Sequence, residues 1–270
     1  MPEKPAASLP VSVQGQSAYM VARLAAAEAG KILRQRFGRH NAARVKGRRD
    51  LVTEADLLSE KAILKTITAA FPEHGLMSEE AGTRREDSEY TWIIDPLDGT
   101  NNFHFGIPLF CVNIALARHG EVLLGVTFDP MRNEVFRAVK GKGAYLNNRR
   151  GRVVDIADLY GAAVGVDLGY DACRSSDLLD IAIRLWPKIH CMRLIGSSSL
   201  GMAYVACGRL GLYFHKSLYP WDSASGLLLV REAGGEVTDF SGRRAGIDDR
   251  EIIAANPRIG RAFRGWLEQK

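Results

Sequence analysis

A short apolar run, Trp92-Ile93-Ile94, passes directly into Asp95-Pro96-Leu97-Asp98-Gly99-Thr100. The run has the character of a buried strand. Proline removes a backbone donor and fixes φ, so the strand is expected to end and the chain to turn at Pro96. A sheet containing this strand must therefore carry two carboxylates, Asp95 and Asp98, at one of its ends. Gly99 permits close backbone approach or an unusual φ, and Thr100 can accept backbone N–H bonds where the next turn begins. An anion there would meet free amides beside the acids, so a divalent cation and a phosphate could share the corner. An Asp-Pro turn followed by a helix-capping aspartate is the plainer reading of the same residues.

With 270 residues, 46% of them hydrophobic, the chain can bury a large core. No Pro/Gly/Ser-rich linker divides it, so a single domain over 1–270 is expected, with residues 1–15 as a flexible extension. No apolar run reaches the roughly 20 residues that span a bilayer, and Met1 to Pro10 lacks the apolar centre of a signal peptide. A soluble cytoplasmic protein without a membrane partner is the expectation. Cys111, Cys173, Cys191 and Cys207 form no CxxC pair, which points to buried thiols rather than zinc or disulfides. The net charge of +5 is partly concentrated between Arg34 and Arg49, a stretch without an acid. Such a face attracts anions. No nucleic-acid-binding motif accompanies it, so a solvated loop or a steering field for a phosphorylated substrate is preferred to a nucleic-acid partner.

Val21, Leu24, Ala25, Ala29, Ile32 and Leu33 recur at helical spacing, as do Leu57, Ile63, Leu64, Ile67, Ala70 and Phe71 after Asp56. Two amphipathic helices therefore open the chain. Strands are predicted over 91–95, 110–118, 121–129 and 133–139, with His119-Gly120 as a hairpin turn. The second half alternates strands near 162–167, 191–195 and 210–214 with helices near 175–186, 198–207 and 223–233. Strands near 236–239 and 251–254 follow, and a last helix is capped by Asn256 with Pro257 in first position. Mixed sheets layered with helices are the expected class.

Three further places put acids at element boundaries. Glu79 and Glu80 follow the short apolar piece Gly75-Leu76-Met77, where a solvated turn is the common outcome. Asp56 opens the second helix and Asp222 stands before Ser223-Ala224-Ser225, so each reads by default as a helix cap.

Val52-Thr53 with Asp56, Glu79-Glu80, Asp95 through Thr100, and Trp221-Asp222 with Glu232-Ala233-Gly234-Gly235 occur in this order along the chain. In that order they resemble the inositol monophosphatase family, within the lithium-sensitive, magnesium-dependent phosphatases that include fructose-1,6-bisphosphatases. The resemblance implies an α/β (α+β) fold built as a five-layered α-β-α-β-α sandwich, usually a homodimer. It implies two or three Mg²⁺ ions held by Glu79, Asp95, Asp98, Asp222 and the Leu97 carbonyl, a hard-oxygen set suited to magnesium. The reaction implied is in-line hydrolysis of a phosphate monoester by metal-activated water, without a covalent enzyme intermediate. Thr100 and Asp56 would form the acid–base pair that orients the water, with Glu79 also catalytic. Gly99 and Thr100 would offer backbone N–H groups to phosphate. Glu80 would assist a third metal through water or position Glu79. Gly196, Ser197, Ser198, His215 and Asp222 would contact substrate.

One position departs from the pattern. Family members that prefer inositol phosphate carry a glutamate seven residues before the Trp-Asp aspartate, and here that position is His215, followed by Lys216. An imidazole cannot accept from two hydroxyls as a carboxylate does, and the lysine would favour a second anionic group on the substrate. A phosphatase acting on an inositol or related sugar phosphate is therefore the expected activity, with fructose-1,6-bisphosphate, histidinol phosphate and adenosine bisphosphate as alternative substrates. From another class, the resemblance admits an RNA- or transcription-associated binding factor that uses residues 34–49.

Overall fold

The computed structural model describes residues 9–47 and 50–269. Helices α1 (Ala18–Arg36) and α2 (Glu54–Ala70) flank a two-stranded antiparallel ribbon, β1 (Ala43–Gly47) with β2 (Asp50–Thr53). Then come β3 (Gly75–Ser78), β4 (Gly82–Arg84), β5 (Tyr90–Asp98), a one-turn helix α3 (Thr100–His104), β6 (Cys111–Arg118), β7 (Glu121–Asp129), β8 (Glu134–Val139), β9 (Ala144–Leu146) and β10 (Arg149–Arg150). Strands β3 to β10 form an eight-stranded sheet in the order β10-β9-β8-β7-β6-β5-β3-β4. The remaining elements are β11 (Ala163–Val166), α4 (Ala172–Leu185), β12 (Cys191–Leu194), α5 (Ser198–Ala206), β13 (Leu212–His215), α6 (Pro220–Glu232), β14 (Glu236–Thr238), β15 (Ile252–Ala255) and α7 (Pro257–Leu267). They supply a five-stranded sheet ordered β12-β11-β13-β15-β14.

Side-chain alternation explains how these elements stack. On β5, Trp92 and Ile94 face the core under α1 and α2, whereas Ile93 between them faces the core shared with α5 and α6. On β15, Ile252 and Ala254 point to that same central core, and Ile253 and Ala255 point to the one under α4 and α7. Both sheets are thus covered on both faces, with α5 and α6 sandwiched between them. The result is the expected α-β-α-β-α order of layers. Among the described residues no helix is long and apolar enough to cross a membrane.

Several local expectations are corrected. Pro96 does not end its strand: β5 continues to Asp98 through a bulge, because three steps from Asp95 to Asp98 answer two steps from Asn113 to Cys111 on β6. A bulge leaves one residue out of the ladder, so the missing proline N–H costs little there. Asp56 is not the cap of α2. Thr53 is, and Asp56 sits three residues later in a capping box, accepting from the Thr53 N–H at 2.8 Å. Asp222 likewise sits in the first turn of α6, which starts at Pro220, and accepts from the Tyr219 N–H at 2.7 Å. The basic stretch is not a simple loop, since residues 43–47 pair with β2; Arg48 and Arg49 lie outside the described residues. Of the expected flexible extension, residues 1–8 also lie outside them, whereas Val13 donates its N–H to the Ala70 carbonyl at 3.0 Å and Val11 bridges to Ser17. The four cysteines are free, but only Cys111 is buried and Cys173 is exposed.

Candidate active site

A cleft of about 360 Å³ opens where the C-terminal end of β5, the start of α6 and the loop before α5 meet. Each acid arrives there for a local reason. The bulge on β5 brings Asp95 and Asp98 to one end of the sheet, and the proline-started first turn of α6 brings Asp222 opposite them. One oxygen from each of the three lies within 4.8 Å of the others, although they come from segments more than 120 residues apart.

Each carboxylate is held from behind. Asp95 Oδ1 accepts the Leu97 N–H at 3.0 Å. Asp98 Oδ2 accepts from the Ser197 hydroxyl and the Ser199 N–H, both at 2.7 Å, and from the Cys111 thiol at 3.7 Å. Glu79 lines the same cleft at the end of β3 but stands outside the tight trio, with its carboxylate 3.3 Å from Lys46 Nζ. Lys46 also contacts Glu80, so the basic ribbon clasps the paired glutamates. Behind them the buried Glu60 accepts from the N–H groups of Glu80 and Ala81, which fixes that turn.

Burial raises Glu79, Glu80, Asp95, Asp98 and Asp222. Asp95 and Asp222 are pushed well above the usual carboxylate range, first by loss of solvent and then by their acidic neighbours. Asp98 is raised by burial against the opposing pull of the Ser197 and Ser199 donors. Glu79 is pushed up to about 7, again first by burial and against the pull of Lys46. Carboxylates gathered so closely repel one another unless protons or a cation intervene. Their oxygens form a hard donor set, and the arrangement is compatible with a divalent cation.

Beside the acids, Thr100 Oγ1 lies within donating distance of Asp56 Oδ1 at 2.9 Å and of the Leu97 carbonyl at 3.0 Å. Asp56 is fully buried, and its other oxygen accepts from both the N–H and the hydroxyl of Thr53. Burial raises its pKa, opposed by these donors. Gly99 has φ 96°, and a Cβ there would stand 2.9 Å from the Leu109 carbonyl oxygen, so glycine is required for α3 to start beside the cleft.

The loop before α5 divides its residues. Gly196 and Ser198 line the cleft, whereas Ser197 turns its hydroxyl to Asp98 and caps α5. His215, at the end of β13, also lines the cleft and is buried rather than an exposed strand end. Its Nδ1 accepts from the Ser217 N–H at 3.0 Å, and burial lowers its pKa to about 4, so the ring is neutral near pH 7 with its proton on Nε2. Lys216 leaves the cleft: its Nζ lies 3.5 Å from Asp177 and 4.9 Å above the Phe240 ring. Lys216 lies just past the end of β13, where the chain bends, and its side chain turns to Asp177 and Phe240 while His215 keeps the cleft side.

Three residues at the cleft had no sequence signal of their own. Lys46 is one of many basic residues in its stretch. Asp167 lies at the end of β11 and accepts the N–H groups of Ile195 and Gly196, both at 2.6 Å, and the Tyr213 hydroxyl at 2.9 Å. Asn102, although adjacent to the Asp95–Thr100 motif, ties α3 to that loop by donating to the Ile195 carbonyl at 2.9 Å, and to the segment before β6 through the Leu109 carbonyl at 2.7 Å.

Residues 15–267 match the inositol monophosphatase family. The chain is 39% identical over 247 residues to the Nus factor SuhB of Escherichia coli (strain K12), covering 90% of this chain and 92% of that one. It is 38% identical over 243 residues to the inositol-1-monophosphatase of Mesorhizobium japonicum, covering 88% and 91%. The solved structure of SuhB from Bartonella henselae superposes with a TM-score of 0.90 at 36% identity, over 94% of this chain and 99% of that chain. An IMPase from Thermotoga maritima does so with a TM-score of 0.85 at 32% identity, over 93% and 96%. With this sequence match, this layered fold and this acidic cleft, the chain belongs to the inositol monophosphatase family.

Proposed function

We propose that the chain hydrolyses a phosphate monoester of an inositol or related sugar in the cleft at the end of β5, with Mg²⁺ as cofactor. The convergence of Asp95, Asp98 and Asp222 within 4.8 Å carries this reading, because three acids held so closely, two of them buried and Asp222 half-buried, favour a cation among them. Those three, with Glu79 and the Leu97 carbonyl, would hold the magnesium, in two or three positions. When bound, the metal neutralises phosphate charge, acidifies water and stabilises the leaving alkoxide.

The chain's own groups do the rest. The hydroxyl of Thr100 donates to Asp56, so an oxygen lone pair of Thr100 is available to accept a proton from a water on the cleft side. Asp56, with its pKa raised by burial, is suited to take up the proton that Thr100 passes on. Glu79 assists as a further carboxylate at the cleft. The N–H groups of Gly99 and Thr100, at the first turn of α3, would receive phosphate oxygens. Water then attacks phosphorus in line with the departing sugar oxygen. Gly196, Ser198, His215 and Asp222 border the space left for that sugar. A neutral His215 offers one N–H donor from Nε2, which suits a hydroxyl or ring oxygen and gives no preference for a second anionic group.

The test is phosphate release from inositol-1-phosphate, fructose-1,6-bisphosphate, histidinol phosphate and adenosine bisphosphate, with and without Mg²⁺ and Li⁺. Magnesium-dependent release that lithium inhibits is the expected result, strongest with an inositol or sugar monophosphate. No release from any of the four would count against hydrolysis. A homodimer, which sedimentation would report, belongs to the same reading. The relatives named Nus factor favour a second reading, in which the chain also serves as a transcription-associated binding protein. A salt-dependent gel shift with RNA tests it, since phosphate contacts weaken steeply with salt.

A further inference from the structure

The hairpin turn between β6 and β7, the second half of α6 and the loop between β14 and β15 enclose a second cleft of about 440 Å³. Its floor is apolar: Leu227, Leu228, Val122 and Ala245 are all buried. Its rim is charged and unevenly compensated. Lys140 pairs with Glu121. Glu232 spends both carboxylate oxygens on the N–H groups of Gly141 and Gly143, at 2.8 and 2.7 Å. Neither Arg231 nor Arg244 forms an ion pair among the described residues, although both line the cleft. Arg231 is half-buried, and one of its nitrogens donates to the Ala245 carbonyl.

Two guanidinium groups at one cleft, neither of them in an ion pair among the described residues, repel each other. Burial first, and then the charge of Arg244, lowers the pKa of Arg231 to about 10. The position of Arg231 in the last turn of α6 explains part of its placement, because cations are favoured at a helix C-terminus and one donor reaches a carbonyl. It does not explain why a second arginine from a different loop closes on the same space. A planar fork of donors suits phosphate oxygens, and the apolar floor suits an organic body attached to them.

We propose that this second cleft binds a phosphate-bearing anion between Arg231 and Arg244, separately from the cleft at Asp95. Asp222 and Arg231 lie at opposite ends of α6, nine residues and so about 14 Å apart along the helix axis. The proposal does not depend on the chain being a phosphatase.

The experiment titrates the full chain, in EDTA and at constant ionic strength set by chloride, with inorganic phosphate and with phenylphosphonate, whose C–P bond resists hydrolysis. Calorimetry or ³¹P line broadening reads the affinity. Saturable binding is expected, several-fold tighter for phenylphosphonate because of the apolar floor. Arg244→Ala should weaken both ligands at least tenfold, Arg231→Met likewise, and Asp98→Asn should leave both affinities unchanged. Because Arg244 is exposed, its truncation keeps the test valid if the Arg231 variant fails to fold. Binding that survives in Arg244→Ala, binding that is lost in Asp98→Asn, or no saturable binding to the wild type overturns the proposal. Magnesium-dependent hydrolysis, measured in parallel, should be unchanged in Arg244→Ala; a chain that binds phosphonate through Arg244 but hydrolyses nothing would refute the proposed activity alone.

Discussion

Replacing Ser197 by alanine removes a hydroxyl that is turned to Asp98 and holds this one of the three convergent acids. Ser197 Oγ donates to Asp98 Oδ2 at 2.7 Å inside the protein, and it is the strongest of the donors that oppose the upward push of burial on Asp98. Without it the carboxylate keeps the Ser199 N–H and the distant Cys111 thiol. A hydrogen bond to a charged group contributes about 1.5–3 kcal/mol, and an N-cap about 1 kcal/mol. Both roles belong to one hydroxyl, so a net stability loss of about 2 kcal/mol is expected, or roughly 4–8 °C in Tm. The metal should suffer more specifically. Losing a group that orients a ligand weakens metal affinity by roughly 10–100-fold. Phosphate release measured against Mg²⁺ concentration should therefore show half-activation shifted upward by at least about tenfold, which is ~1.4 kcal/mol. The maximal rate at saturating Mg²⁺ should fall much less. An unshifted activation curve, or an equal loss of rate at every Mg²⁺ concentration, would refute the view that Ser197 acts through Asp98.

Asp95→Asn should abolish magnesium-dependent phosphate release while the metal-free chain folds at least as stably as the wild type, because the variant removes a charge that burial and three acidic neighbours oppose; near-normal turnover would sink the assignment of Asp95. Glu232→Gln should lower stability by about 1–2 kcal/mol, because the amide keeps one acceptor oxygen and leaves either the Gly141 or the Gly143 N–H facing an NH₂ group, and should leave turnover per folded molecule unchanged, as denaturation and rate measurements together would show. Asp167 is pushed by burial from 3.8 up to about 7, so between those pH values the folded chain holds a proton that the unfolded chain has lost. Stability is then fully supported below about pH 3.8 and declines as pH rises toward 7. Asp167→Asn should flatten the fall in Tm across that window, and an unchanged slope would contradict the assignment.

Much of this molecule follows from local rules that any stretch of chain obeys by itself. Helical spacing from Val21 to Leu33 and from Leu57 to Phe71 located α1 and α2, and strand alternation around Val112, Ile114 and Leu116 located β6. Asn256-Pro257 marked the start of α7, and Gly99 marked the left-handed step before α3. The acids at Asp56, Glu79, Asp95, Asp98 and Asp222 were visible because each stands at an element boundary, and their common order carried the family resemblance. Other features depend on pieces of chain that meet only after folding. Pro96 continues its strand because β6 tolerates a bulge opposite it. His215 enters the cleft because the neighbours of β13 decide which face of the strand is inside, and Lys216 leaves it for Asp177 and Phe240, which come from other elements. Ser197 serves Asp98, Lys46 clasps Glu79 and Glu80, and Arg244 meets Arg231 across gaps of 99, 33 and 13 residues. Propensity and periodicity act over a few residues, so the sequence itself determined which elements form and which acids end them; which side chains share a cleft is decided by how the layers pack, and that only the tertiary structure settles.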